Sequence, residues 1–145
     1  MMLVRFLAVV ITGLALVAPA SHLFVLPNKI GMPADQYFVA QSIYQGWWML
    51  GLLLLAAAIA NAALAFMTNE SGARAFAIAA IALIVVNLVI FAVWTQPANA
   101  ATQSWTVRPE NWEALRVSWE YSHAINAGVT LLVFCAATIA ALRAA

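Results

Sequence analysis

Hydrophobic residues fall into four long runs separated by short polar stretches. The first runs from Phe6 to Leu26, with Thr12, Ser21 and His22 as its polar interruptions. The others span about Ile43 to Met67, Ala75 to Trp94 and Ala124 to Leu142. Each has about 19–25 residues, and roughly 20 residues of helix cross a hydrocarbon core about 30 Å thick. Backbone groups in lipid meet no water and must be satisfied within their own segment, so the runs are expected to be helical. The predicted elements are helices over about 4–26, 42–67, 74–96 and 111–143. Together they make an all-α, integral membrane, antiparallel four-helix bundle, one domain over 1–145. Alanine runs such as Ala56-Ala57-Ala58 and Ala62-Ala63 let such helices approach closely. Pro19, inside the first run, should kink it just before His22.

Composition changes the surroundings but not the elements. Hydrophobic residues are 66% and charged residues 8% of the chain, against roughly 45–50% and about 25% in soluble domains. So few charges cannot cover a water-facing surface, and the lipid bilayer is the partner this composition requires. A net charge of +1 gives no indication of nucleic acid, and no Lys/Arg cluster marks a polybasic lipid patch. The single cysteine, Cys135, excludes an internal disulfide and behaves as a small hydrophobe in the last run. Arg5, an apolar stretch and Ala18-Pro19-Ala20 have the form of a secretory signal; the segment is taken as the first membrane helix.

Charge then orients the bundle. Arg5, Arg74 and Arg143 share one side with a single acid, Glu70. Lys29, Arg108 and Arg116 share the other with Asp35, Glu110, Glu113 and Glu120. The basic excess places both termini in the cytoplasm, as expected of a multi-pass protein of the inner (cytoplasmic) membrane. Segments 27–42 and 96–112 become the long outer connections, where function concentrates.

Counting helical rise brings the candidate chemistry to one level. His22 lies about 25 Å from Arg5, and His123 and Trp94 about 30 Å from Arg143 and Arg74, at 1.5 Å per residue. Tyr44, Gln45 and Trp47 begin the second run at a matching depth, with Gln41 close by. From Pro109 a helix runs into the fourth span, and Glu113, Arg116, Glu120 and His123 form one stripe on it. Trp112 and Trp119 share a neighbouring stripe. A charged stripe at the mouth of a membrane bundle is expected to face inward or toward water.

Each feature has a plain reading beside a chemical one. Glu120-x-x-His123 has the spacing of di-iron bundles, but those use a second copy and two further glutamates. His22 and His123 at one depth suit axial ligation of a haem, or a transition metal, as well as a cofactor-free polar layer. Arg116 between two glutamates reads as a salt bridge or as an anchor for an anionic or carbonyl ligand. Most of the tryptophans suit an interfacial belt, with Trp112 and Trp119 placed to line a pocket. Asn61 and Asn87 read as interhelical hydrogen-bonding groups, and Asn126 is placed to orient His123. No nucleophile–base triad, phosphate loop or zinc spacing is present.

Four stretches carry a resemblance: His22-Leu-Phe-Val-Leu-Pro-Asn-Lys-Ile-Gly31, Tyr44-Gln-Gly-Trp47, Pro97-Ala-Asn-Ala-Ala-Thr-Gln-Ser-Trp105 and Pro109 through His123. They resemble the bacterial branch of the anthrone-oxygenase-like family of small four-helix membrane proteins. The resemblance implies oxidation of an activated aromatic carbon by oxygen, with His123 or Glu120 as base and Arg116 or Asn126 as oxyanion donor. Trp112 and Trp119 would wall a flat pocket that also draws on Gln45, Tyr44 and His22. The expected function is therefore an oxygenase or related oxidoreductase acting on a small apolar, aromatic or quinone-like compound. Two other readings stay open: a non-catalytic subunit of a larger membrane complex or homo-oligomer, and a haem-binding redox protein using His22 and His123.

Overall fold

The computed structural model describes residues 1–144. It is 85% helix, with no strand among the described residues. Four helical stretches are long and apolar enough to cross a membrane: Met2–Lys29, Trp47–Met67, Ser71–Ala101 and Trp112–Arg143. The first consists of α1 (Met2–Ala15) and α2 (Val17–Lys29), which meet at Leu16. Pro19 accounts for the break, because it has no N–H for the carbonyl of Ala15 and its ring crowds that turn. The interruption therefore falls one turn nearer the N-terminus than the position just before His22. Helix α2 continues through Pro27 to Lys29, past the expected end at Leu26, and this extension decides where Lys29 goes.

Beyond it, α3 (Ala34–Gln41) starts after Pro33. Two 3₁₀ turns, Ser42–Tyr44 and Trp47–Leu50, flank Gly46, whose φ of 83° lies in the left-handed region glycine favours. Helix α4 is Gly51–Met67 and α5 is Ser71–Ile90. Glu70 caps α5, its carboxylate accepting the N–H groups of Gly72 and Ala73. A π turn, Phe91–Thr95, separates α5 from α6 (Gln96–Ala101). Pro97 follows directly, and the wider turn makes room where its ring would meet the carbonyl of Val93. Helix α7 (Trp112–Arg143) is the longest.

Side-chain size divides the interior along its length. At the basic end, Ala8, Leu64, Ala65, Ala77 and Ala140 join the start of α1, the end of α4, the start of α5 and the end of α7. Ala57, Ala80, Ile84, Val133 and Ala136 pack the middle. Small residues permit this approach, and a Cβ on Gly13 of α1 would stand 3.3 Å from the Phe134 ring of α7. Polar side chains bond between helices: Asn61 Nδ2 donates to Thr12 Oγ1 at 3.2 Å and Asn87 Nδ2 to Thr130 Oγ1 at 3.1 Å. At the opposite, aromatic end the packing groups are Tyr37, Ala98, Trp105, Trp112 and Trp119. Outward side chains such as Phe24, Ile59, Phe66 and Leu142 are exposed. Four apolar helices with such a surface mark a multi-pass membrane protein.

Candidate functional site

Two stripes converge at the aromatic end. His22 and Lys29 are seven residues apart on α2, and Tyr37, Gln41 and Tyr44 follow one another at four and three residues. Lys29 Nζ lies 2.8 Å from Glu120 Oε1 of α7, with the two side chains 5% and 0% exposed. Tyr37 Oη donates to the same carboxylate oxygen at 2.9 Å, and Gln41 Nε2 donates to Tyr37 Oη at 2.6 Å. The remaining hydrogens of Lys29 reach Gln41 Oε1 and Tyr44 Oη, each at 3.3 Å. An ammonium has three donors, so all are used. Its charge also faces the rings of Tyr44 at 4.4 Å and Trp119 at 4.9 Å.

Burial, reinforced by the Glu120 carboxylate, raises the phenol of Tyr37 well above its ordinary range. The same two causes push Tyr44 up to about 12. Both therefore keep their protons at neutral pH. For Tyr44 this has a directional consequence. An ammonium only donates, so Tyr44 Oη accepts from Lys29 and its own hydrogen is free to point elsewhere.

It borders a cavity of about 870 Å³, within the roughly 300–1,000 Å³ of small-molecule sites. The cavity extends from Ala15, Leu54 and Thr130 in the middle of the spans to Gln103, Ser104 and Trp105 in the loop after α6. Among the described residues, no Asp, Glu, Lys or Arg lines it. Its wall contains a stack of rings. His22 stacks on His123 with centroids 4.1 Å apart and planes 25° from parallel, and lies 4.4 Å from the Tyr44 ring. Trp119 meets both imidazoles edge-on, at 4.9 and 4.3 Å. His22 is 4% exposed, whereas His123 is half-buried and more open to the cavity.

The loop roof is strained. Gln103, Ser104 and Trp105 have φ of 48°, 57° and 66°, a left-handed turn that L residues adopt at a cost. Thr102 holds it, its Oγ1 accepting the N–H of Trp105 at 3.0 Å and its carbonyl accepting those of Thr106 and Val107. Trp105 is thereby placed 5.8 Å from Trp119 and 5.1 Å from Tyr37. Trp119 Nε1 donates to Asn99 Oδ1 at 2.8 Å, which ties α7 to α6.

Of the residues expected at a site, His22, Tyr44, Gln45, Trp119, His123 and Asn126 line this cavity. Glu120, Arg116 and Trp112 do not. Glu120 is fully buried behind the wall as the counter-ion of Lys29. Trp112 packs against Tyr37 and Phe38. Arg116 makes no salt bridge to Glu113 or Glu120; its Nη1 donates to the carbonyl of Met32 at 2.7 Å, and its guanidinium lies 4.7 Å over Trp112. The charged stripe divides because Glu113 is exposed while Glu120 turns into the protein.

The imidazole pair does not fit axial ligation of a haem. Two histidines on opposite sides of one metal, with bonds near 2.1 Å, hold ring centroids about 6 Å apart with nitrogens facing end-on. Here the rings lie face to face at 4.1 Å. Among the described residues no group of three or more His, Cys, Asp or Glu side chains is placed to hold a metal ion.

Lys29 and Tyr37 are the members that sequence reasoning missed. Their signal lay in spacing, because the chain's only lysine is two helical turns from His22. No family model, curated protein or solved structure matches the chain.

Proposed function

We propose that this protein is a membrane-embedded oxygenase whose cavity takes a flat, neutral, aromatic or quinone-like compound, as its resemblance to the anthrone-oxygenase-like family implies. The observation that carries this reading is an uncharged 870 Å³ cavity bounded by two imidazoles, aromatic rings and amides. Such a wall solvates planar apolar ligands that carry a few polar substituents. Gathering of the α1 start, α4 end, α5 start and α7 end in one layer supports an antiparallel bundle. The arginines at that end support cytoplasmic termini in an inner membrane, with the cavity toward the outer face.

The chemistry asked of the residues is modest. The methylene of an anthrone, between two aryl rings and conjugated with the carbonyl, loses a proton to give an electron-rich oxyanion. His123, open to the cavity and without a protein hydrogen bond among the described residues, accepts that proton. Tyr44 donates its free hydrogen to the oxyanion, while Lys29 holds the phenol in place from behind. The anion then reacts with dioxygen, and the balance is anthrone plus O₂ to anthraquinone plus water. Glu120 and Arg116 take no part at the reacting atoms.

Oxygen uptake by the detergent-purified protein with anthrone, above the protein-free rate, tests this. His123→Ala should lower that excess by about 100-fold or more, and Tyr44→Phe by about 10- to 100-fold. Unchanged rates in both folded variants sink the proposal.

A further inference from the structure

Among the described residues, four buried polar atoms around the cavity have no hydrogen-bond partner: His22 Nδ1, Asn87 Oδ1, Trp105 Nε1 and Asn126 Oδ1. All four residues line it and are between 2% and 9% exposed. Native interiors leave few such groups unpaired, so each marks a partner that the protein itself does not supply.

Asn87 defines what is missing. Its Nδ2 donates to Thr130 Oγ1 at 3.1 Å. The amide cannot be turned over, because the single hydroxyl hydrogen of Thr130 already goes to the carbonyl of Asn126 at 2.7 Å. Thr130 must accept, so Asn87 must present nitrogen to it and oxygen to its other side. Asn87 Oδ1 is therefore an acceptor awaiting a donor. Trp105 Nε1 is the complement, a group that only donates and lacks an acceptor. Tyr44, with its lone pair engaged by Lys29, also offers a hydrogen.

We infer that the cavity selects the reduced, hydroxyl-bearing form of an aromatic ligand, a diol of the hydroquinone type, over the corresponding dione. The inference rests on the ligand-binding reading given above and specifies the redox form that this site holds. One hydroxyl of the diol donates to Asn87 Oδ1, and the other, across the ring, accepts from Tyr44. A dione serves Tyr44 with one carbonyl but sets the other against Asn87 Oδ1, lone pair to lone pair. A methyl ether fails in the same way. Sites that hydrogen-bond a substrate hydroxyl reject analogues lacking it much more strongly than sites that merely lose a methylene contact. Oxidation of the diol removes both hydroxyl hydrogens, so the oxidised form is held more weakly.

The test is anaerobic equilibrium dialysis of the full chain in micelles against protein-free micelles. The probes are 1,4-dihydroxynaphthalene, 1,4-dimethoxynaphthalene and 1,4-naphthoquinone, which share one ring system. The diol should bind about tenfold or more tightly than either analogue. In Asn87→Leu the diol and the ether should fall within about threefold of each other. Equal binding of all three probes to the natural protein overturns the inference and leaves the cavity reading standing. A preference that survives in a folded Asn87→Leu overturns the assignment to Asn87. Binding of none of the three overturns both this inference and the ligand reading beneath it. Should Asn87→Leu not fold, the three-probe series on the natural protein still decides.

Discussion

Removing either charge of the Lys29–Glu120 pair should destabilise the protein far more than removing both. At 2.8 Å and an effective dielectric constant of about 20, the gross attraction is about 6 kcal/mol. Desolvation offsets much of this, because neither side chain is more than 5% exposed. Glu120→Gln keeps an acceptor for Tyr37 Oη but leaves an ammonium buried without a counter-ion. Lys29→Met leaves the carboxylate with Tyr37 alone. Each should cost about 3–5 kcal/mol, the usual penalty of an orphaned buried charge, or between two and four powers of ten in the unfolding constant. The double variant has no buried charge and should lose only about 1–2 kcal/mol, chiefly from altered hydrogen bonds. A coupling of roughly 4 kcal/mol or more follows from the cycle. Reversible unfolding in mixed micelles, followed by far-UV circular dichroism, measures all four proteins. Single variants within about 1 kcal/mol of the natural protein, or a double variant equal to the sum of the singles, would refute the reasoning.

Two further perturbations probe the cavity roof and the basic end. Ser104 has φ 57°, so Ser104→Gly should raise the thermal midpoint by relieving about 1 kcal/mol of left-handed strain, less glycine's added chain entropy. Ser104→Val should lower it, and the opposite order of midpoints would contradict the strained turn. The Glu70 carboxyl is held below its ordinary 4.5 chiefly by the N–H of Ala73, then Gly72, with Arg143 adding to this. A folded-state pKa below the unfolded one gives stability that is present above the ordinary value and lost as pH falls through the folded one. The stability difference between the natural protein and Glu70→Gln should be constant near neutrality and vanish in acid; a difference that persists at low pH assigns it to another cause.

The pattern of hydrophobicity was sufficient to read four spanning helices, because length and polarity alone decide that question in lipid. Depth counting brought His22, Gln45, Trp47, Trp94 and His123 to one level, since α-helical rise is fixed; all but the exposed Trp94 line the cavity. Rotation was not legible, and rotation separates Glu120 from the cavity. Glu120 precedes His123 by one turn, so a stripe argument keeps them together, yet Lys29 draws the carboxylate behind the wall. Lys29 itself was hidden by Pro27. A proline ordinarily ends a helix, which assigns Lys29 to a loop, but α2 carries on for one more half-turn and turns the ammonium inward. Arg116 was misplaced for a similar reason. Its partner is a backbone carbonyl, that of Met32, and backbone acceptors leave no trace in residue identity.

The position of the ion pair bears directly on what the cavity can hold. A charge on the cavity surface would have to be stripped of water whenever a neutral aromatic ligand entered, and that desolvation would oppose binding. Behind the wall, Lys29 meets the cavity through the Tyr44 hydroxyl and Gln41 amide it bonds and the Trp119 ring it faces. The ammonium fixes the direction of Tyr44's hydrogen, and the field it adds reaches the ligand through a neutral group. In the proposed reaction, charge developing on a ligand oxygen would be met by this oriented donor, while an uncharged ligand would incur no comparable cost on entry. The same arrangement explains why Glu120 needs Tyr37 and Lys29 on one oxygen. An isolated carboxylate at that depth would draw in water, which would loosen the wall that positions Tyr44 against His22.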